Sequence, residues 1–213
     1  MERKWKITLG LLISLIIVIG GVAGGLLLNN YLRNNGSSDF NNDPPILAFP
    51  VANTEVLAAL YGFIWNETHQ IHNGIDFMIN DTANIVAPCN MTVNDKSLFY
   101  NELGDHWQAG LSFDINDDYE LFIAFESFAQ NETFGNLQLD AIIVDIGQEV
   151  TQGQLLGQLF LHRNGAHIHF MLHKNHEPVC PYLYFSSAGK VIFDILWSQF
   201  GLISNPCNGT LSF

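Results

Sequence analysis

A chain of 213 residues with 21 acidic and 8 basic side chains has a formal charge of −13. Such a surface repels phosphate backbones, which excludes nucleic acid as a natural partner. Hydrophobic residues make up 48% of the sequence, enough for a sizeable core beyond an apolar N-terminal run.

Arg3, Lys4 and Lys6 precede Ile7 to Leu28, an uncharged run that includes Leu11, Leu12, Ile16, Ile17, Val18 and Ile19. Residues 7–28 are therefore expected to span a bilayer as one helix, and they exceed the usual apolar core of a cleaved signal peptide. The positive-inside rule places residues 1–6 in the cytoplasm and everything after residue 28 outside, as a single-pass protein of the cell membrane. Gly20, Gly21, Gly24 and Gly25 form overlapping small-xxx-small pairs that would let two such helices approach closely, as in a homodimer. Residues 29–45, rich in Asn, Ser and Asp and closed by Pro44 and Pro45, read as a flexible tether. The folded domain is expected over residues 46–185, followed by a C-terminal helix and tail over 186–213.

Beyond the tether only Lys96, Arg163, Lys174 and Lys190 are basic, so the outer domain is strongly acidic. Asn-x-Ser/Thr sequons occur at Asn35, Asn66, Asn80, Asn90, Asn131 and Asn208, where chance would supply about two. The excess fits a glycoprotein domain outside the cytoplasm. Disulfides persist there, and a Cys180–Cys207 bridge would tie the tail to the domain, leaving Cys89. Spacing alone does not fix that connectivity.

The rest of the pattern is short strands between turn residues. Glu55 to Tyr61 reads as a short helix. Val86-Ala87-Pro88 and Met91-Thr92-Val93 flank a bend. Leu111 to Ile115, the turn Asn116-Asp117-Asp118 and the run Tyr119 to Phe125 predict a hairpin. Ala141 to Ile146 reads as a further strand, and Gly147, Gly153 and Gly157 punctuate the next segment, with Val150 and Leu155-Leu156, at the spacing of tight turns. Together these predict a mainly β domain, a small antiparallel barrel or sandwich. Ser187 to Phe200, with Ile192, Ile195, Leu196 and Phe200 spaced for one face, predicts a C-terminal helix.

Two clusters carry chemistry. In the strand Gly165-Ala166-His167-Ile168-His169-Phe170, side chains alternate faces, so His167 and His169 point the same way. Earlier, His72-Asn73-Gly74-Ile75-Asp76 offers an imidazole and a carboxylate four residues apart, in what reads as a loop. Neutral imidazole and carboxylate oxygen suit zinc, and three protein ligands leave a fourth position for water.

These clusters, with Ile85-Val86-Ala87-Pro88, the Gly147–Gly157 turns and Pro178-Val179-Cys180-Pro181-Tyr182, come in the order found in a known family. The segment from Ile46 to Phe185 resembles the lysostaphin/LytM-type zinc endopeptidases, which cut peptide cross-bridges in bacterial cell walls. The resemblance implies a duplicated hybrid motif fold and a peptide or peptide-cross-linked polymer as substrate. It implies that His72, Asp76 and His169 hold zinc and that His167 lies beside the metal-bound water. There is one departure. Where the family carries a second catalytic histidine, the matching stretch here runs Leu121-Phe122-Ile123-Ala124-Phe125-Glu126-Ser127-Phe128 and places Glu126. Either Glu126 is a working base, its protonated form favoured among Phe122, Phe125 and Phe128, or the domain keeps its metal and has lost hydrolysis. A shifted alignment would instead let His106 or His162 supply the imidazole. Two alternatives to an enzyme stay open: a silent zinc-binding relative that holds a ligand or regulates a partner, and a lipoyl-type carrier. The carrier expects a lysine at a hairpin tip and leaves the histidines unexplained.

Overall fold

The structure, a computed structural model, describes residues 42–65 and 70–207. The expectations for residues 1–41, among them the membrane helix, its glycine pairs and most of the tether, lie outside the described residues, as do the sequons at Asn35, Asn66 and Asn208. Among the described residues, no helix is long and apolar enough to cross a membrane.

In chain order the elements are β1 (Leu57–Tyr61), β2 (Ile64–Trp65), β3 (Gln70–His72), β4 (Ile75–Ile79), β5 (Ala83–Val86), β6 (Met91–Asn101), β7 (His106–Asp114), β8 (Tyr119–Ala129), α1 (Glu132–Asp140), β9 (Glu149–Val150), β10 (Leu155–Leu159), β11 (His167–Lys174), β12 (Glu177–Val179) and α2 (Ser187–Gln199). Thr54–Val56 and Pro181–Tyr184 form single 3-10 turns. The main sheet is eight-stranded and antiparallel, in the order β1-β4-β11-β8-β7-β6-β9, with β12 paired to β11. β5 pairs with β10 and β2 with β3 in two small sheets.

Strict alternation builds the core. Ile168, Phe170 and Leu172 of β11 are fully buried on one face, beside Ile75 and Phe77 of β4 and Ile123 and Phe125 of β8. The Phe77 ring meets Phe49, Phe170 and Phe193 edge-on, with centroids 5.2, 6.0 and 6.3 Å away, a favoured aromatic arrangement. The residues between them on β11, His167, His169, Met171 and His173, occupy the opposite face and are only half-buried.

The mainly β architecture, the hairpin at Asn116 and the C-terminal helix agree with the sequence reading. Asn116 makes the turn by accepting from the backbone N–H groups of Asp118 and Tyr119 at 3.1 and 3.0 Å. Three local expectations are corrected. Glu55 to Tyr61 is not a helix; Leu57–Tyr61 is a strand, because pairing with β4 buries Leu57 and Leu60 where an isolated turn of helix would bury neither. Ala141 to Ile146 is not a strand beyond one bridge from Ile142 to Gly157. There the Lys96 ammonium donates to the carbonyls of Ile142 and Val144, at 2.7 and 3.4 Å, and takes them from any ladder. On α2 the buried face is Phe193, Leu196 and Trp197, while Ile192 and Ile195 are exposed. The Phe193 and Trp197 rings stack at 5.3 Å, so an i, i+4 aromatic pair fixes the rotation of the helix. Helix α1 has no counterpart in the sequence reading, although Asn131 caps it by accepting from Phe134 N–H.

Cys180 and Cys207 are bridged, and Cys89 is free and buried, its thiol pushed up to about 12 by burial. The bridge closes a loop across 27 residues, within which the Trp197 indole N–H donates to Ser204 O at 2.9 Å. Cys207→Ser is expected to lower the unfolding free energy by about 3 kcal/mol, read by urea denaturation, with an m-value that rises as the unfolded chain is released. A loss below about 0.5 kcal/mol would show that the bridge does not constrain the unfolded chain.

Candidate metal centre

Strand β11 lies between β4 and β8, and the register decides what gathers there. His169 is directly opposite Asp76 of β4, and His167 is directly opposite Glu126 of β8. Side chains at directly opposed positions share a face with Cβ atoms about 5 Å apart. The two histidines of one strand therefore meet one carboxylate from each side. His72 comes from the end of β3, one tight turn before β4. The sequence reading of this stretch as a loop is corrected: only Asn73 and Gly74 separate the two strands.

Gly74 explains why that turn needs a glycine. A Cβ built on it would stand 2.8 Å from Phe170 O and 2.9 Å from the His169 ring, so only a bare backbone can pass this close. Gly165 is required for a different reason. Its φ of +97° lies where side chains are strained, and its carbonyl then meets His167 Nδ1 at 2.7 Å.

The hydrogen bonds assign the imidazole nitrogens. His72 Nδ1–H donates to Gly62 O at 2.6 Å, which leaves the Nε2 lone pair turned inward. His169 Nε2–H donates to Asn73 Oδ1 at 2.9 Å, which turns Nδ1 inward, 2.6 Å from Asp76 Oδ1, a hydrogen bond only when that nitrogen carries a proton as well. These inward nitrogens lie 3.1 Å from Asp76 Oδ2 and 2.6 Å from Asp76 Oδ1, respectively. All three ligand atoms fall within 4.8 Å of one another. His72, Asp76 and His169 thus form a group that can hold a metal ion.

The donor set fits such an ion on its own evidence. His72 Nε2 is buried without a hydrogen-bond partner even though Asp76 Oδ2 is near, because lone pair faces lone pair. Something positive must sit among these acceptors, either protons or a cation. Protons leave their mark on the bare residues. Burial works against ionising both Asp76 and His72. It is outweighed at Asp76 by hydrogen bonds from His169 and His72, which hold the carboxyl well below the usual range. At His72 the hydrogen bond and charge of Asp76 outweigh it and raise the imidazole. Four-coordinate zinc, with ligands about 2.0 Å away, has ligand–ligand edges of about 3.3 Å, close to the 3.1 Å between His72 and Asp76. A second imidazole nitrogen tied to a carbonyl or amide oxygen is the usual support of a metal-ligating histidine. Asn73 and Gly62 give that support, and neither was singled out in the sequence. Asn73 at least stands between His72 and Gly74; the Gly62 carbonyl carries no sequence signal.

The remaining candidates separate cleanly. His167 Nε2 faces Asp76 Oδ2 and Glu126 Oε1, both at 3.7 Å, so it borders the three ligands without joining them. Glu126 is at the site, 9% exposed. His106 is not; it lies behind Glu126, with Nε2 3.0 Å from Glu126 Oε2. His162 packs its ring against Phe134 and Phe160, and burial lowers its pKa. His176 is 86% exposed and pairs with Glu120.

No family model matches the sequence, and no curated protein does. Solved structures are similar to it. A chain of the SpoIIQ–SpoIIIAH pore-forming complex matches at a TM-score of 0.50 and 15% identity, over 71% of this chain and 98% of that one. Csd3 of Helicobacter pylori matches at 0.48 and 20%, over 73% of this chain, which spans only 40% of Csd3. The catalytic domain of lysostaphin, the antimicrobial peptidase of Staphylococcus simulans, matches at 0.39 and 18%, over 60% of this chain and 89% of that domain. The likeness is one of fold. The neighbours thus include peptidases of the lysostaphin/LytM type that the sequence motifs resemble, and the case for metal binding rests on the side chains described above.

Gly74→Ala is expected to push His169 off the common point and weaken zinc binding at least about tenfold, as loss of ligand support does elsewhere, while the far-ultraviolet circular dichroism stays unchanged. Competition with a chromophoric chelator measures it. Unchanged affinity would show that His169 is not a ligand.

Proposed function

We propose that this chain is a zinc-dependent endopeptidase of the lysostaphin/LytM type, anchored in the cell membrane by residues 7–28 with its domain outside. The observation that carries the reading is the set of three inward-facing ligand atoms from His72, Asp76 and His169, bordered by His167 and Glu126. A zinc ion held there supplies a Lewis acid and brings the pKa of bound water to about 7.

The chain's own residues divide the proton work. With Nδ1–H held by Gly165 O, His167 presents an Nε2 lone pair that takes a proton from the attacking water. Glu126, on the opposite strand, delivers a proton to the leaving amine as the carbon–nitrogen bond breaks. His167 and Glu126 are 3.7 Å apart, a span that water bridges, so the proton gained by one is returned to the other through solvent and the cycle closes. The same sheet face continues into a groove of about 280 Å³ lined by Phe122, Met171, Asn94, Ser112, Asp114 and Glu120. An apolar floor with polar margins suits an extended peptide, in agreement with a peptide or peptide-cross-linked polymer as substrate.

The bridged Cys180 and Cys207 favour an oxidising compartment. Asn80, Asn90 and Asn131 are exposed, as glycosylated sequons must be. The glycines of the membrane helix supply a face for a homodimer.

A second reading is a zinc-binding domain without hydrolysis, and one contact favours it: Glu126 Oε2 is already engaged by His106. The two readings part on one variant. Purified ectodomain is expected to bind about one zinc and to cleave peptides; Glu126→Gln is expected to keep the zinc and lose at least about a hundredfold in kcat. Undiminished cleavage would remove Glu126 from the mechanism, and zinc binding without any cleavage by the wild type would establish the silent domain.

A further inference from the structure

His106 and Glu126 form a buried pair that neither zinc binding nor the fold requires. The His106 side chain is 2% exposed and that of Glu126 12%. Burying two ionisable groups is costly unless they satisfy each other, and replacing such pairs with apolar residues often stabilises a protein. The surroundings have been bent to keep this one. Between the β7–β8 pairs Trp107–Ala129 and Ala109–Phe125, the single residue Gln108 faces three residues, Glu126 to Phe128. That bulge ends at Phe128 with φ +59°, a left-handed conformation that strains a non-glycine residue. It lays the Phe128 ring 4.4 Å from the His106 ring and 5.8 Å from that of His167. On the far side the backbone closes over His106. A Cβ on Gly104 would stand 2.3 Å from the imidazole.

Counting donors shows what the pair holds. His106 Nδ1–H donates to Gly104 O at 2.9 Å, so a neutral ring would turn a bare Nε2 toward Glu126 Oε2. At 3.0 Å that contact needs a proton between nitrogen and oxygen. We propose that His106 and Glu126 together store one proton, and that His106 is a positioning residue that aims Glu126 at His167 and reloads it after each turnover. The catalytic part of this rests on the hydrolytic reading above; the stored proton does not.

The balance is simple. When Glu126 gives its proton to the leaving amine, Nε2 and Oε2 are left lone pair to lone pair at 3.0 Å. That repulsion is relieved when Glu126 takes a proton back from solvent, and the pair again holds one proton between nitrogen and oxygen. The other ionisable groups facing this chain of contacts are Asp76, which meets His167 at 3.7 Å, and His72 beyond it, which feels the charge of Glu126.

The test has two arms. Nuclear magnetic resonance of the ectodomain near neutral pH, with and without zinc, reads the His106 ring nitrogens and the Glu126 carboxyl carbon together. One proton beyond an Nδ1–H imidazole and a carboxylate is expected, on either partner, and it is expected to vanish in Glu126→Gln. A neutral His106 beside an ionised Glu126 would overturn the proposal. The second arm is His106→Gln, which can still donate to Glu126 but stores no proton. An at least tenfold lower kcat is expected, with KM and zinc content unchanged and the alkaline limb of the pH–kcat profile displaced. A lower melting temperature with an unmoved profile would leave His106 a structural residue and overturn its positioning role. If the wild type cleaves no peptide, the hydrolytic reading and with it the reloading role fall, while the resonance arm still decides whether the proton is there.

Discussion

Everything at the site stems from an excess of lone pairs around one point. His72 Nε2, His169 Nδ1 and both Asp76 oxygens face inward, while the outer nitrogens of both rings are already committed to Gly62 O and Asn73 Oδ1. Rings fixed in this way cannot turn to relieve the crowding. The domain is therefore built to be completed by positive charge. Protons can do part of this, as the depressed Asp76 and raised His72 show, but they are a poor substitute for an ion that three atoms can share.

The sheet makes this crowding tolerable in conformational terms. One strand, β11, puts apolar residues on one face and histidines on the other, and the core anchors the first face with Ile168, Phe170 and Leu172. A one-residue slip would send the histidines into the core, so the hydrophobic packing that stabilises the domain also sets the metal site. Asp76 from β4 and Glu126 from β8 then arrive by register alone, one on each side. The same strand separates two kinds of proton chemistry. Toward β4 the acceptors want a cation. Toward β8 the buried His106 makes Glu126 part of a proton-bearing pair.

Much of this was legible in the sequence, and the exceptions share a cause. Period-2 alternation identified the strand with His167 and His169, and metal-ligand chemistry pointed to His72 and Asp76, because both signals are local. Glu126 stood out only as a departure from a family pattern. In the sequence His106 stands as one possible replacement imidazole; its true place behind Glu126 depends on a bulge with no mark in the residue order. The support from Gly62 and Asn73 was invisible for the same reason: a backbone carbonyl is identical at every position. Fold errors have the same origin. Glu55 to Tyr61 has helical composition but becomes β1 through pairing with β4, and Ala141 to Ile146 is apolar like a strand but gives its carbonyls to Lys96, 46 and 48 residues away. The outward Ile192 and Ile195 fit a helical period as well as Phe193 and Trp197 do, and only the aromatic stack decides between the faces.

The central claim, that two imidazoles and one carboxylate share a single ion, is tested most directly by X-ray absorption at the zinc edge on zinc-loaded ectodomain. The account predicts a shell of nitrogen and oxygen at about 2.0–2.1 Å with imidazole outer-shell scattering from two rings and no sulfur. A zinc–sulfur distance of about 2.3 Å, or a spectrum of hydrated zinc without imidazole, would contradict it.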